Sequence, residues 1–432
     1  MPKKLLVITY YWPPSAGGGV QRWLKFVKYL SEFGWEPIVF TPENPDFSIQ
    51  DPSLESDVPN SVEVIRFPIW ELSRLTGSNK VQQGVVKKGD EVSLITKAMI
   101  WARGNLIIPD PKRFWVKPSV QFLSDYLDRN PVDALVTTGP PHSMHLIGRK
   151  LNEKCQVPWL ADFRDPWSDW DILDDLKTGE WARSIHRKLE MNVMKSADRV
   201  LACTPAMERL FQEKSDRIQT AMVTNGVDES DFTDYIREPA SQEYFTLSHM
   251  GLLNDMRNPS ALWKVLEQLC EELDGFAKSL RIFLSGMISQ DVLESLQKSG
   301  LSKNLQYEKY LSHQEVVQQY SQSSVLLLLM NRSDNADWLI PGKLFEYFFA
   351  EREVLAFGSK VSDVNTILNE ANLGAVVDYD DVVTIKERIK QAYQRFQSGM
   401  YHVPVKNMEN YTRRKLTGQL AKVLNEMTES KS

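Results

Sequence analysis

A chain of 432 residues with 42% apolar and 25% charged side chains is an ordinary globular protein, long enough for two or three domains with their own cores. Its formal net charge of −6 argues against a general nucleic-acid partner, and its three cysteines, Cys155, Cys203 and Cys270, are too few and too scattered for a disulfide framework or a metal cluster, which suits a reducing cytoplasm. No run approaches the roughly 20 apolar residues that span a bilayer.

The N-terminal "KLLVITYYW" (4–12) is short, aromatic and closed by Pro13-Pro14, so it reads as a first strand and not as a signal peptide. Further strands are expected at 36–42, 62–68, 133–139, 158–165 and 199–204, separated mostly by helical patterns. The clearest is "VQRWLKFVKYLSEFG", with Trp23, Phe26, Val27 and Leu30 on one face and Gly34 at its end. The second half repeats the alternation, with strands at 244–251, 280–286, 305–311, 324–330, 353–358 and 374–379. Such continuous apolar runs indicate parallel strands buried on both faces. The turn-rich "TNGVDESDFTDY" and the polar "REPASQ" lie between the halves. The expected architecture is α/β: two Rossmann-like doubly wound domains facing across a cleft, residues 1–228 and 229–407, with a C-terminal helix at about 408–432 packing back on the first.

Gly17-Gly18-Gly19 fall between the first strand and the first helix, where missing side chains let a ligand approach backbone and helix N-terminus, or simply make a flexible turn. The spacing is not G-x-G-x-x-G, which weakens a nicotinamide dinucleotide reading. "GLLNDMRNPS" repeats the design after Gly251: Asn258 can cap the next helix, Pro259 suits its first position, and Arg257 then stands where it can grip a phosphate or remain a solvated arginine. In "DWLIPGKLFEYFFA", Pro341-Gly342 opens a helix with Lys343 in its first turn, where the helix dipole disfavours a cation. Two compensations are open: an ion pair with Glu346 on the same face, or an anion held jointly by Lys343 and the free backbone N–H groups.

The order of the "GGG" loop, "NGVD" (225–228), "GLLNDMRN", "LSG" (284–286) and "PGKLFEYFFA" resembles the retaining glycosyltransferases of family four with the GT-B fold, over nearly the whole chain. The resemblance implies a C-terminal domain for a nucleotide diphosphate sugar, an N-terminal domain for the acceptor, and no metal or other cofactor. It makes Arg257 and Lys343 the diphosphate grip and Glu346 the ribose ligand, and it counts Gly18, Gly19, Gly251, Gly286, Pro341 and Gly342 among the donor-binding positions. Two departures stand out: Trp338, beside Asp337, occupies the place of the family's second glutamate, and Leu252 that of a common basic residue. The reaction implied is glycosyl transfer with retention to an acceptor hydroxyl, the acceptor being a lipid-linked or polysaccharide-precursor glycan of bacterial surface-polysaccharide assembly.

His142 in "TTGPPHSMHLIG" and Asp165 in "LADFRDPW" lie just beyond strand ends of the first half. His142 can hydrogen-bond the sugar; Asp165 can orient the acceptor together with Arg164, or pair with Arg164, or cap the next turn. A nucleotide-sugar epimerase of the same fold and a non-catalytic scaffold are the rival classes; an epimerase would need acid/base groups on both sides of the cleft, and the histidines of the second half are few, His249 and His313 among them. Finally, "LITKAMIWARGNLIIPDPKRFWVKPSVQFL" holds Lys97, Arg103, Lys112, Arg113 and Lys117 against Asp110, with Trp101, Phe114 and Trp115 interleaved. Such a stretch suits peripheral contact with an anionic membrane, at the inner face of the cytoplasmic membrane, or consists of core aromatics with solvated cations.

Overall fold

The computed structural model describes residues 2–47, 49–71, 94–233, 235 and 243–429; the polar "REPASQ" segment, 237–242, lies outside the described residues. The chain divides into two compact units, Met1–Thr224 with Arg413–Ser432, and Asn225–Thr412. Each is built around one parallel sheet.

In the first unit the strands are β1 (Lys3–Ile8), β2 (Trp35–Pro42), β3 (Glu63–Phe67), β4 (Ala134–Gly139), β5 (Trp159–Phe163), β6 (Arg199–Ala202) and β7 (Thr220–Met222), ordered β3-β2-β1-β4-β5-β6-β7. β1 is shorter than its apolar run because the Thr9 hydroxyl donates to the Tyr11 carbonyl (3.0 Å) and the chain turns there. β7, not anticipated, is an edge strand of three half-buried residues without an apolar run to announce it. Strand order reverses between β1 and β4, the switch point where doubly wound sheets open a crevice at their carboxyl ends.

One buried ion pair fastens this unit. Arg22, on the helix Gly18–Leu30, and Asp162, on β5, lie 3.0 Å apart with both side chains essentially inaccessible. Asp162 also accepts from the Trp23 indole N–H and the Thr138 hydroxyl (2.7 Å each), and Arg22 donates onward to the Val223 and Thr224 carbonyls. Burial alone would raise the Asp162 carboxyl; the Arg22 charge and these hydrogen bonds hold it below the usual range. The helix Arg413–Glu429 closes the same core, setting Leu416, Leu420, Leu424 and Met427 beside Trp23, Leu24 and Val27.

The second unit has β8 (Phe245–Met250), β9 (Leu280–Ser285), β10 (Leu305–Glu308), β11 (Val325–Leu329), β12 (Glu353–Phe357) and β13 (Val376–Val377), ordered β10-β9-β8-β11-β12-β13. β11 shows why its run is unbroken: Val325, Leu327 and Leu329 enter one apolar cluster, Leu326 and Leu328 the other, as the two-residue period of a doubly covered strand requires. Replacing Asp162 by Ala would strand the Arg22 charge in this setting, so Asp162→Ala is expected to cost about 3–5 kcal/mol in denaturant unfolding of the chain.

Candidate functional site

In the second unit β8 and β11 are paired neighbours at the point of strand reversal, and the helices that follow them, Ser260–Glu272 and Lys343–Ala350, pack into opposite cores. The crevice between their carboxyl ends is set by glycine. The Gly251 N–H donates to the Ser285 carbonyl at 2.7 Å, and Gly286 packs so closely that a Cβ there would lie 2.6 Å from the Gly251 carbonyl oxygen. A Cβ on Gly251 itself would stand 1.9 Å from the Lys343 Nζ. Lys343, the first residue of its helix, therefore folds back over the strand end and donates to the Met250 carbonyl.

Burial pulls the Lys343 pKa down to about 8, with the charge of Arg257 acting in the same direction and Glu346 opposing both. Arg257 sits in the turn Asp255–Arg257, and its Nε donates to Asn331 Oδ1 at 2.7 Å, which fixes the plane of the guanidinium. Among the described residues neither cation has a carboxylate at ion-pair distance. Two mutually repelling cations thus lie near each other with no ion-paired carboxylate among the described residues, beside a helix start that no described side chain caps and where a Cβ on Gly342 would meet nothing within 4 Å. Pro341 begins the turn, its carbonyl accepting from the Leu344 N–H (3.0 Å).

The ion pair weighed between Lys343 and Glu346 is not formed. Glu346 accepts instead from the buried Tyr320 hydroxyl (2.5 Å), on the helix His313–Ser321, and burial followed by the Glu346 charge drives the Tyr320 pKa well up. Asn258 does not cap its helix either: that helix starts at Ser260, and Asn258 Oδ1 accepts from the Trp263 indole at 2.8 Å. Of the three histidines in this unit's sequence, His249 is buried, is pushed down to about 4 by burial and then by Lys343, and contacts the Leu327 and Leu252 carbonyls; His313 stands 3.7 Å from Asp231, and His402 meets Glu351.

In the first unit Arg164 gathers the strand-end groups. Its guanidinium donates to the Gly19 carbonyl (3.0 Å), the Thr138 hydroxyl (3.3 Å) and the Pro140 carbonyl, so it braces the glycine turn against the end of β4 and does not pair with Asp165. Gly17 turns at φ 90°, Cβ atoms on Gly17 and Gly18 would meet nothing within 4 Å, and one on Gly19 would touch the Tyr11 ring at 3.0 Å. Asp165 caps nothing and makes no hydrogen bond among the described residues; burial raises its pKa, with Arg164 partly offsetting this. His142 is buried, lies flat on Trp167 (4.8 Å between ring centres) and, among the described residues, leaves both ring nitrogens without a hydrogen bond. Burial, then the charges of His145 and Arg164, hold it neutral. The N-terminus of the helix after His142 is capped by Asp110, which accepts from the Ser143 N–H and hydroxyl at 2.9 and 2.8 Å.

Sequence reading missed four supporting groups: Asp162, Asp110, Asn331 and Tyr320. Asp162 had a signal, an acid in the middle of an otherwise apolar strand. Tyr320 had none, since its hydroxyl meets Glu346 only through helix packing.

Residues 17–226 match the family model described as a glycosyl transferase 4-like domain. No curated protein sequence matches the chain. Among solved structures it is similar to an α,α-trehalose 6-phosphate synthase from Burkholderia multivorans (TM-score 0.61, 11% identity, covering 100% of this chain and 98% of that one). It is also similar to a sucrose-phosphate synthase from Thermosynechococcus elongatus (0.55, 14%, 99% and 97%) and to a putative UDP-N-acetylglucosamine 2-epimerase from Listeria monocytogenes (0.56, 9%, 100% and 98%). Residues 17–226 thus carry a glycosyl transferase 4-like domain, and the chain as a whole, with its two parallel-sheet units, has the GT-B fold.

Proposed function

We propose that the chain moves a glycosyl group from a nucleoside diphosphate sugar to an acceptor hydroxyl with retention, the acceptor being a lipid-linked or polysaccharide-precursor glycan. The observation that carries this reading is the Arg257–Lys343 pair: two close cations over a bare glycine strand end, lacking a carboxylate partner among the described residues. A diphosphate supplies the missing charge and fits the uncapped helix start beside them. Glu346, one oxygen held by Tyr320, offers the other to the ribose hydroxyls. As the bond from the anomeric carbon to the diphosphate oxygen breaks, charge collects on that oxygen, where Arg257, Lys343 and the backbone N–H groups are already oriented. The acceptor oxygen bonds to the same carbon, and its proton passes to the departing phosphate, so no protein base is obligatory. In the first unit neutral His142 is suited to a sugar hydroxyl and Asp165 to the acceptor, with Arg164 as the brace that shapes the turn between them.

Purified chain mixed with a panel of nucleoside diphosphate sugars tests the reading. Nucleoside diphosphate release that depends on added acceptor supports transfer; isomerised sugar points to an epimerase, and tight binding without either product to a scaffold. Arg257→Ala is expected to lower turnover about 10²–10³-fold with the thermal melt unchanged, and near-normal turnover removes Arg257 from the site. Because bound diphosphate favours the ammonium form of a lysine that titrates near 8, affinity should be flat below that pH and fall as pH rises through it, by up to about tenfold per unit. Calorimetry between pH 6.5 and 9.5 on wild type and Lys343→Gln, whose profile should be flat, checks the sign (about these limits, since the linked group is a single proton). Tyr320→Phe should weaken nucleoside diphosphate binding roughly five- to tenfold yet leave inorganic pyrophosphate binding unchanged, since only the ribose ligand loses its support.

A further inference from the structure

The helix Leu94–Leu106, "LITKAMIWARGNL", is apolar in composition yet is docked by its polar end. Of its described side-chain positions only Gly104 and Asn105 are fully buried. Gly104 presses on the loop before the helix Glu180–Ser196, where a Cβ would lie 2.4 Å from the Leu176 carbonyl oxygen. Asn105 donates to the Lys177 carbonyl at 3.1 Å and accepts from the Gly179 N–H at 2.8 Å. The hydrophobic effect, which normally turns such a helix inward, is left unsatisfied among the described residues: Ile95, Trp101 and Leu106 are 52–74% exposed.

The neighbouring surface continues this face. Phe114, on the helix Arg113–Arg129, meets Trp70 edge-on at 5.5 Å, and both are about half exposed. Lys97, Arg113 and Lys117 are exposed and, among the described residues, in no ion pair. Arg113 reaches the Leu106 carbonyl (3.5 Å), which ties the two helices together. The single acid of residues 94–117, Asp110, is turned inward as the cap of another helix. Of the stretch singled out in the sequence, Lys112 and Trp115 leave this surface: Lys112 pairs with buried Glu71, and the Trp115 indole donates to the Pro68 carbonyl at 3.0 Å.

We propose that this face docks on an anionic lipid bilayer, with Trp70, Trp101, Leu106 and Phe114 at the boundary of headgroups and acyl chains and Lys97, Arg113 and Lys117 on lipid phosphates. The charge selects an anionic partner on a chain whose net charge is −6. The exposed Ile95 and Leu106 select lipid over nucleic acid, because aliphatic side chains need an apolar phase and not a stacking plane. The proposal rests on the transfer reading only for its use, bringing the protein to a lipid-linked acceptor; the docking stands on the surface itself.

Co-sedimentation of the full chain with vesicles of phosphatidylcholine, with and without phosphatidylglycerol, tests it. Wild type should pellet with the anionic vesicles at low salt, stay in solution with the zwitterionic ones, and be released as salt rises. The triple variant Lys97→Glu, Arg113→Glu, Lys117→Glu should lose roughly a hundredfold in vesicle partitioning, and Trp101→Ser with Leu106→Ser a comparable amount, each keeping the wild-type melt. Folded wild type that ignores anionic vesicles at low salt overturns the proposal, as do variants that bind like wild type. Light scattering that shows a wild-type dimer broken by Trp101→Ser and Leu106→Ser, with no vesicle binding, would give the face to a second copy and also overturn it. Nucleoside diphosphate affinity, measured on the same samples, separates the two readings: vesicle binding without it sinks transfer alone, and the reverse sinks docking alone.

Discussion

There is no room for a side chain at position 251. The carbonyl of Gly251 touches Gly286 across the strand ends, and its open side is filled by the Lys343 amine. Because that space is bare, a lysine at a helix start, where it is electrostatically misplaced, can reach the Met250 carbonyl and stand near Arg257. The placement of Lys343 follows from this packing. The charges of Arg257, its guanidinium plane set by Asn331, and of Glu346, held by Tyr320, both act on an amine that only glycine admits.

The first unit solves a related problem with charge instead of space. Its glycine turn is held by Arg164 through backbone carbonyls, and the helix that follows is held by Arg22 on Asp162. A buried arginine such as Arg22 acts less by its own stability than by fixing one arrangement, since an unmatched guanidinium in a dry core is costly in every alternative. Among the described residues His142 and Asp165 are strand-end groups without a hydrogen-bond partner, whereas the nearby His145 bonds Thr137 at 2.9 Å.

The fold was largely legible because doubly covered parallel strands must be apolar without interruption, and the β11 run "SVLLLLM" could be little else. Where burial was partial the signal failed, as at β7, and where local side-chain bonds cut a strand short, as at Thr9, its end was misplaced. At the site, glycines and cations at strand ends were visible as residue types in a telling order. Their partners were not. Nothing in the local pattern says that Glu346 will face Tyr320 in preference to Lys343, or that Arg164 will turn from Asp165 to three backbone and hydroxyl oxygens, because those choices are made by packing between segments distant in sequence. The basic, aromatic stretch shows the same division: composition marked it, and only burial sorted Lys112 and Trp115 into the core.

The first unit is discontinuous, its last helix arriving only after the whole of Asn225–Thr412 has been made. On the ribosome, the apolar face of the helix Gly18–Leu30 therefore waits without Leu416, Leu420, Leu424 and Met427 while the second unit, encoded in one stretch, has all its own residues in hand. Synthesis order and folding order are thereby reversed: the part made first is the part completed last, and a nascent chain halted anywhere before Arg413 presents an open core to chaperones.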